Sequence, residues 1–247
     1  MKKITSHTVL IGLLLIGTVL LTGGCKKCSG KLGDLAEETY PLSSFDALDI
    51  QGKFTVQLCQ DSTFKMRVKA LEGLMDNINY EVNDGVLKIE NKNKCAIRTN
   101  YSDKVVLEIG CGELKKIEMT NPEKLASCGR LRSDRLDIKL KDCSPELDLV
   151  GEFDILTLLI DDGTPSTRLA GSCRYFKLEN ASLGKFDATE LEASEILISS
   201  NSTSHIDLWA VNKLTLWLEG SEKIRYKGEP EVSAKIPSHS SATYEKL

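Results

Sequence analysis

Between residues 136 and 218 the sequence repeats itself: LDIKL at 136–140, LTLLI at 156–160, FKLEN at 176–180, ILISS at 196–200 and LTLWL at 214–218. The opening residues Leu136, Leu156, Phe176, Ile196 and Leu214 are spaced by 20, 20, 20 and 18. Within each stretch apolar residues tend to alternate with others, the period of a strand with one buried face. A second apolar pair follows in each unit: Leu147/Leu149, Leu169/Gly171, Phe186/Ala188, Ile206/Leu208 and Ile224/Tyr226. Small residues at Gly151, Gly171, Ala210 and Gly228 mark corners, and a weaker earlier copy begins at Ile117, 19 residues before Leu136. A unit of about 20 residues holds only two or three short strands, too few for a self-sufficient blade or sandwich. Such units bury their apolar faces by coiling, with equivalent strands about 4.8 Å apart in parallel register. The expected fold is therefore all-β: a right-handed parallel β-helix with coils of about 20 residues. A pair of β-sandwiches is the alternative, but sandwich strands have no reason to keep a spacing of 20.

Outward from the repeat, residues 40–100 are also strand-like. Phe54 to Leu58 and Phe64 to Val68 alternate, and Ile78 to Val82 meets Val86 to Ile89 across Asn83-Asp84-Gly85. An Asp-Gly step between alternating runs is a strong hairpin signal, because both residues tolerate positive φ. This hairpin-containing region is expected to cap one end of the coil, and the Pro230–Pro237 segment the other. A poorly capped end would invite end-to-end self-association.

The N-terminus has the composition of a targeting segment. Lys2 and Lys3 precede a 14-residue apolar run, Thr8 to Leu21, short of the roughly 20 residues that span a bilayer. Leu21-Thr22-Gly23-Gly24-Cys25 then resembles a bacterial lipobox, which makes Cys25 the expected site of lipid attachment. Residues 1–24 are read as signal peptide, 25–39 as a tether and 40–247 as the β-helical domain. Losing Lys2 and Lys3 with the signal takes the formal charge from -4 to -6. A net-negative chain without a basic run does not suit nucleic acid, so none is expected as a partner. The expected location is the cell envelope, anchored to the outer membrane by lipid, with the face left open.

Eight cysteines in an exported chain raise the question of disulfides. Cys95 with Cys111, or Cys128 with Cys143, would bridge neighbouring coils, and buried free thiols are an equally good reading.

The stretch Phe45-Asp-Ala-Leu48-Asp-Ile50-Gln-Gly52-Lys-Phe54-Thr-Val56 is similar to the opening strand pair of the auto-transporter adhesin family with the head GIN domain. Glu219-Gly220-Ser221-Glu222-Lys223-Ile224-Arg225-Tyr226-Lys227-Gly228-Glu229-Pro230 resembles that family's closing Tyr-x-Gly-x-Pro stretch. The resemblance implies a secreted or lipid-anchored β-helix of Bacteroidetes type with an adhesin-like role. The family's Gly-Ser-Gly corners are here Asp-Gly-Thr, Ser-Leu-Gly and Ser-Thr-Ser, so the chain reads as a divergent member.

Chemistry is sparse in the sequence. The three histidines, His7, His205 and His239, show no metal-ligand spacing, and no nucleophile elbow, zinc motif or phosphate loop appears. No cofactor and no catalytic residue is expected. Asp148, Asp187 and Asp207 lie between inward apolar neighbours and are expected to point outward. Asp187 and Asp207, 20 apart, should stack on adjacent coils as a weak candidate calcium pair; a solvated face neutralised by Arg168, Lys185 and Arg225 is the plainer reading. Leu159, Leu197 and Trp217 fall at outward positions, with Trp209 beyond its strand, and form a candidate ligand surface for a glycan or an envelope protein. If residues 231–247 fold back, they would cover Trp217 instead. A non-enzymatic binding module is the first reading; a carbohydrate-active enzyme around Asp187 and Asp207, or a structural envelope component, are the alternatives.

Overall fold

The computed structural model describes residues 32–93, 105–141 and 145–247. These form a β-solenoid of about six turns, a parallel β-helix. The N-terminal half contains β1 (Leu35–Pro41), β2 (Ala47–Gln51), β3 (Thr55–Gln60), β4 (Lys65–Leu71), a one-turn helix α1 (Glu72–Met75), β5 (Ile78–Asn83), β6 (Val86–Asn91), β7 (Val106–Cys111) and β8 (Lys116–Thr120). Five long strands follow: β9 (Lys124–Lys141), β10 (Glu146–Ile160), β11 (Ser166–Asn180), β12 (Lys185–Ser200) and β13 (His205–Leu218). The chain ends with β14 (Lys223–Lys227), β15 (Glu231–Lys235) and β16 (Thr243–Lys246).

Each long strand serves two strand tracks of the coil. Its first half joins what we call sheet 1, ordered β1-β4-β7-β3-β9-β10-β11-β12-β13-β14-β16. Its second half joins sheet 2, in which β5, β6, β2 and β8 precede the same five strands and β15 follows. The periodicity holds residue for residue: Leu136, Leu156, Phe176, Ile196 and Leu214 stack in one column and continue onto Val232. The first five are essentially buried, as are Ile138, Leu158, Leu178, Ile198 and Leu216 in the next inward column. Burying each such side chain contributes about 1.5–3 kcal/mol, so the columns carry the stability of the coil. The last spacing is 18 because the pairing of β12 with β13 shifts twice, absorbing extra residues of β12 between Ala188 and Glu192 and one extra residue of β13 between Ala193 and Glu195.

Two details of the repeat differ from expectation. Ile117 pairs with Ile138, so the weaker copy is offset by two residues from the spacing read toward Leu136. In β11 the residue opposite Leu147 is Thr167, while Leu169 lies opposite Leu149. Thr167 is 3% exposed, a polar residue in an apolar column, which is why the pattern jumped past it. Gly171 does stack on Gly151, at φ +115°, and a β-carbon there would stand 1.9 Å from the Gly151 carbonyl oxygen. Only glycine allows that approach.

The expected hairpin forms: β5 and β6 pair antiparallel around Asp84 and Gly85, both at positive φ. β4 runs antiparallel to β7, and β1 antiparallel to β4, so both sheets end in reversed strands on the N-terminal side. Tyr40 of β1 and Tyr80 of β5 pack with ring centroids 5.1 Å apart, tying the two caps together. β1 starts at Leu35, so the end of the stretch read as tether is strand. The Pro230–Pro237 segment is not a cap. Its core is β15, a further parallel rung on β13. Cys25 and the signal-like segment, together with Cys95 and Cys143, lie outside the described residues.

Chain order and spatial order part company in the N-terminal half. β2 sits between β6 and β8, and β3 between β7 and β9, so the first coil is inserted between two later ones. That insertion brings Cys59 and Cys128 together in a disulfide across 69 residues, Cα atoms 5.0 Å apart. The expected pairing of Cys128 with Cys143 is thereby corrected. Cys111 is a free, buried thiol, which corrects its pairing with Cys95, and Cys173 is another.

One corner is polar inside. Asn180, Ser182, Ser200, Ser202 and Ser204 are all buried. Asn180 donates to Ser204 Oγ at 2.7 Å and accepts from Ser182 Oγ at 2.6 Å. The Ser202 amide donates to Glu222 Oε1 at 2.6 Å. The serines of this corner thus alternate inward, satisfying one another in place of water.

Candidate functional site

The outward face of sheet 1 is a ladder of charge. Asp148, Arg168, Asp187, Asp207, Arg225 and Glu245 occupy successive rungs of one column. Asp187 and Asp207 therefore do stack on adjacent coils. Their surroundings differ, however. Asp207 is only 8% exposed, and both its oxygens accept from Arg225, Oδ1 from Nε at 2.8 Å and Oδ2 from Nη2 at 2.6 Å. It lies in the outward column, and the Arg225 guanidinium covers it, a bidentate pairing that fixes both groups. Asp187 Oδ1 accepts from the Thr189 amide at 3.0 Å and hydroxyl at 2.7 Å. Partial burial works to raise the Asp187 carboxyl, but those two hydrogen bonds and the charges of Lys185 and Arg168 outweigh it and hold the pKa low. Arg168 pairs with Asp148 at 2.8 Å and also with Glu190. A cation on this pair would have to displace Arg225. Among the described residues no group of three or more His, Cys, Asp or Glu stands close enough to hold a metal ion. His205 opens β13 as an exposed residue between Lys185 and Lys223.

Trp209, on the same sheet, is half-buried with the Lys227 ammonium 3.9 Å from its ring centroid. The cation occupies the ring face that a ligand would need.

Sheet 2 offers a different wall. Three outward columns run side by side over its central coils: Ile155-Tyr175-Glu195-Lys213, Thr157-Lys177-Leu197-Thr215 and Leu159-Glu179-Ser199-Trp217. All three expected surface residues lie on this wall. Leu159 and Leu197 are half-buried among their neighbours, whereas Trp217 is 51% exposed. β15 pairs beside Trp217, setting Lys235 next to it, but does not cover it. Sequence reading missed Ile155 and Tyr175, which stack on each other in the first column, because both lie before or at the edge of the repeated motif. Their odd-numbered alternation with Leu156 and Phe176 is the signal that locates them. Tyr175, Leu197 and Trp217 then descend diagonally, one rung and one column at a step, a line of about 16 Å at ordinary strand spacings. Thr157, Ser199, Thr215 and Lys235 flank it with hydroxyls and an ammonium. The result is an aromatic-ended apolar track with hydrogen-bonding margins, held on a rigid wall.

No helix among the described residues is long and apolar enough to cross a membrane. No curated protein matches the chain. Solved structures share its fold. A putative adhesin from Bacteroides fragilis NCTC 9343 superposes with a TM-score of 0.74 at 18% identity, covering 87% of this chain and 97% of that one. A putative lipid binding protein from Parabacteroides distasonis ATCC 8503 gives 0.68 at 19% identity, with 87% and 97% covered. A putative adhesin from the same organism gives 0.63 at 17%, with 87% and 98% covered. At such identities the likeness is one of fold. The profile described as putative auto-transporter adhesin, head GIN domain, matches residues 44–230. Most of the solenoid lies within that span, and with both ends of the resemblance accounted for, the chain belongs to the putative auto-transporter adhesin family with the head GIN domain.

Proposed function

We propose that this chain is a lipid-anchored envelope protein that holds an extended, sugar-like ligand against the outward wall of sheet 2 without turning it over. The single observation that carries this is Trp217, 51% exposed on a strand paired on both sides. On this wall Trp217 is not isolated but ends the apolar line of Tyr175 and Leu197, and its open indole face is free to stack on a ligand. Sugar rings suit the site: their apolar faces stack on an indole, and their hydroxyls meet the flanking Ser199, Thr215 and Lys235. The enzyme reading weakens at its own candidate residues. Asp207 gives both oxygens to Arg225, so the pair has no free acid beside a free base. The family and its structural relatives, adhesins and a lipid-binding protein by description, support a binding role.

A glycan array probed with the full chain in mild detergent, run beside a reducing-sugar release assay, tests the proposal. Retention of a polysaccharide without release of reducing ends is the expected result. Binding should fall about five- to tenfold in Trp217→Ala, in keeping with the loss of one stacked aromatic. Release of reducing ends, or binding indifferent to Trp217, would overturn it.

A further inference from the structure

Among the described residues, the last rungs of the solenoid on the C-terminal side are β15 and β16. β15 pairs with β13 and β16 with β14, and among the described residues no strand occupies the outer edge of either. Interior columns simply stop there. Val232 and Ala234 continue the columns of Leu214 and Leu216, and Tyr244 continues that of Ile224. Tyr244 is 43% exposed, with Ile236 at 36% and Leu247 at 54%, so the end presents both unpaired backbone and apolar side chains. At the opposite end the last strands, β1 and β5, run antiparallel to their neighbours, so that end differs from this one in strand direction.

The sequence of β15 says which partner fits. It reads Glu231-Val232-Ser233-Ala234-Lys235, with Glu231, Ser233 and Lys235 in outward columns and Val232 and Ala234 in inward ones. Laid antiparallel on a second copy of itself about Ser233, it matches at every position. Glu231 faces Lys235 of the mate and the reverse, Val232 faces Ala234, and Ser233 faces Ser233. Inward residues meet inward residues, so the core continues across the junction. In the parallel in-register alternative, Glu231 meets Glu231 and Lys235 meets Lys235, and like charges directly opposite are destabilising. A lysine on an edge strand ordinarily discourages pairing; here the glutamate four residues earlier converts it into a device that selects the antiparallel partner. We propose that the protein forms a two-fold, tail-to-tail dimer by antiparallel addition of β15 to β15 of a second copy, covering the apolar end. A two-fold junction pairs the β15 edge of each copy with that of the other, so this contact closes on itself.

Sedimentation equilibrium of the full chain in mild detergent tests this through charge exchange. The wild type should carry twice the monomer mass. Lys235→Glu, which sets Glu231 against an acid, should weaken the dimer about tenfold. The double variant Glu231→Lys with Lys235→Glu should restore it. Ser233→Cys should give a disulfide-linked dimer on a non-reducing gel that the wild type does not, because opposed residues stand at a Cα separation a disulfide can span. An unchanged thermal midpoint in each variant keeps the comparison one of association. A wild type that is monomeric at every loading, a double variant as weak as the single one, or no linked dimer with Ser233→Cys would overturn the proposal.

Discussion

Cys111 and Cys173 face the interior of the coil, and their thiols respond to it. Burial, with the charge of Asp61 added, pushes Cys111 up to about 12. Burial pushes Cys173 up to about 11 against the hydrogen bonds it makes to the backbone. A thiol in the unfolded chain titrates near 8.5. Both groups are therefore raised on folding, so their contribution is complete below about pH 8 and is lost as pH rises toward the folded values. Urea unfolding should show the native state losing roughly 2 kcal/mol per thiol between pH 8 and pH 10, beyond the slope seen when both are replaced by alanine. Native protein at pH 8 should resist iodoacetamide at these two positions and react after unfolding; equal reactivity in both states would contradict their burial. At this scale the sequence is legible only in part. The thiols were foreseeable as small hydrophobes and Arg225 as a neutralising partner of Asp207, but Thr167 in a leucine column was not. Alternation says which way a side chain leaves the strand and nothing about what lies on top of it.

Strands show a sharper division. Where each coil packs on the next in chain order, from β9 to β13, spacing alone located the columns, because neighbours in space are the chain's next neighbours. Where β2 and β3 are inserted between later strands, spacing carried no such information, and Ile117 was placed two residues off. The same insertion hid the Cys59–Cys128 bridge. That disulfide clamps the displaced rung, joining β3 to β9 across a closed loop long enough to be worth up to about 4 kcal/mol. Replacing both cysteines by alanine, or reducing the native protein, should lower the thermal midpoint by roughly 10 °C. Calorimetry showing no change would mean that β3 is held there by packing alone.

At the scale of the whole solenoid the coils build a wall, and the candidate surface is a property of the wall rather than of any cleft. No single strand contains it: Tyr175, Leu197 and Trp217 belong to three successive coils and become a line only through their register. Leu159, Leu197 and Trp217 were readable as outward positions, but the diagonal was not, since it needs the rungs aligned first. A wall of this kind works in the envelope if it is held there. Metabolic labelling with a fatty acid should tag the chain, and Cys25→Ser should abolish the label; persistent labelling would move the anchor elsewhere. The central claim, that a ligand lies on Trp217, has its most direct test in tryptophan emission. The chain has two tryptophans, and Trp209 under Lys227 serves as an internal reference. Titration with the best-retained polysaccharide should shift the emission saturably in the wild type and leave Trp217→Phe, reporting through Trp209 alone, unshifted. An equal shift in both proteins would place the ligand away from sheet 2 and contradict the account.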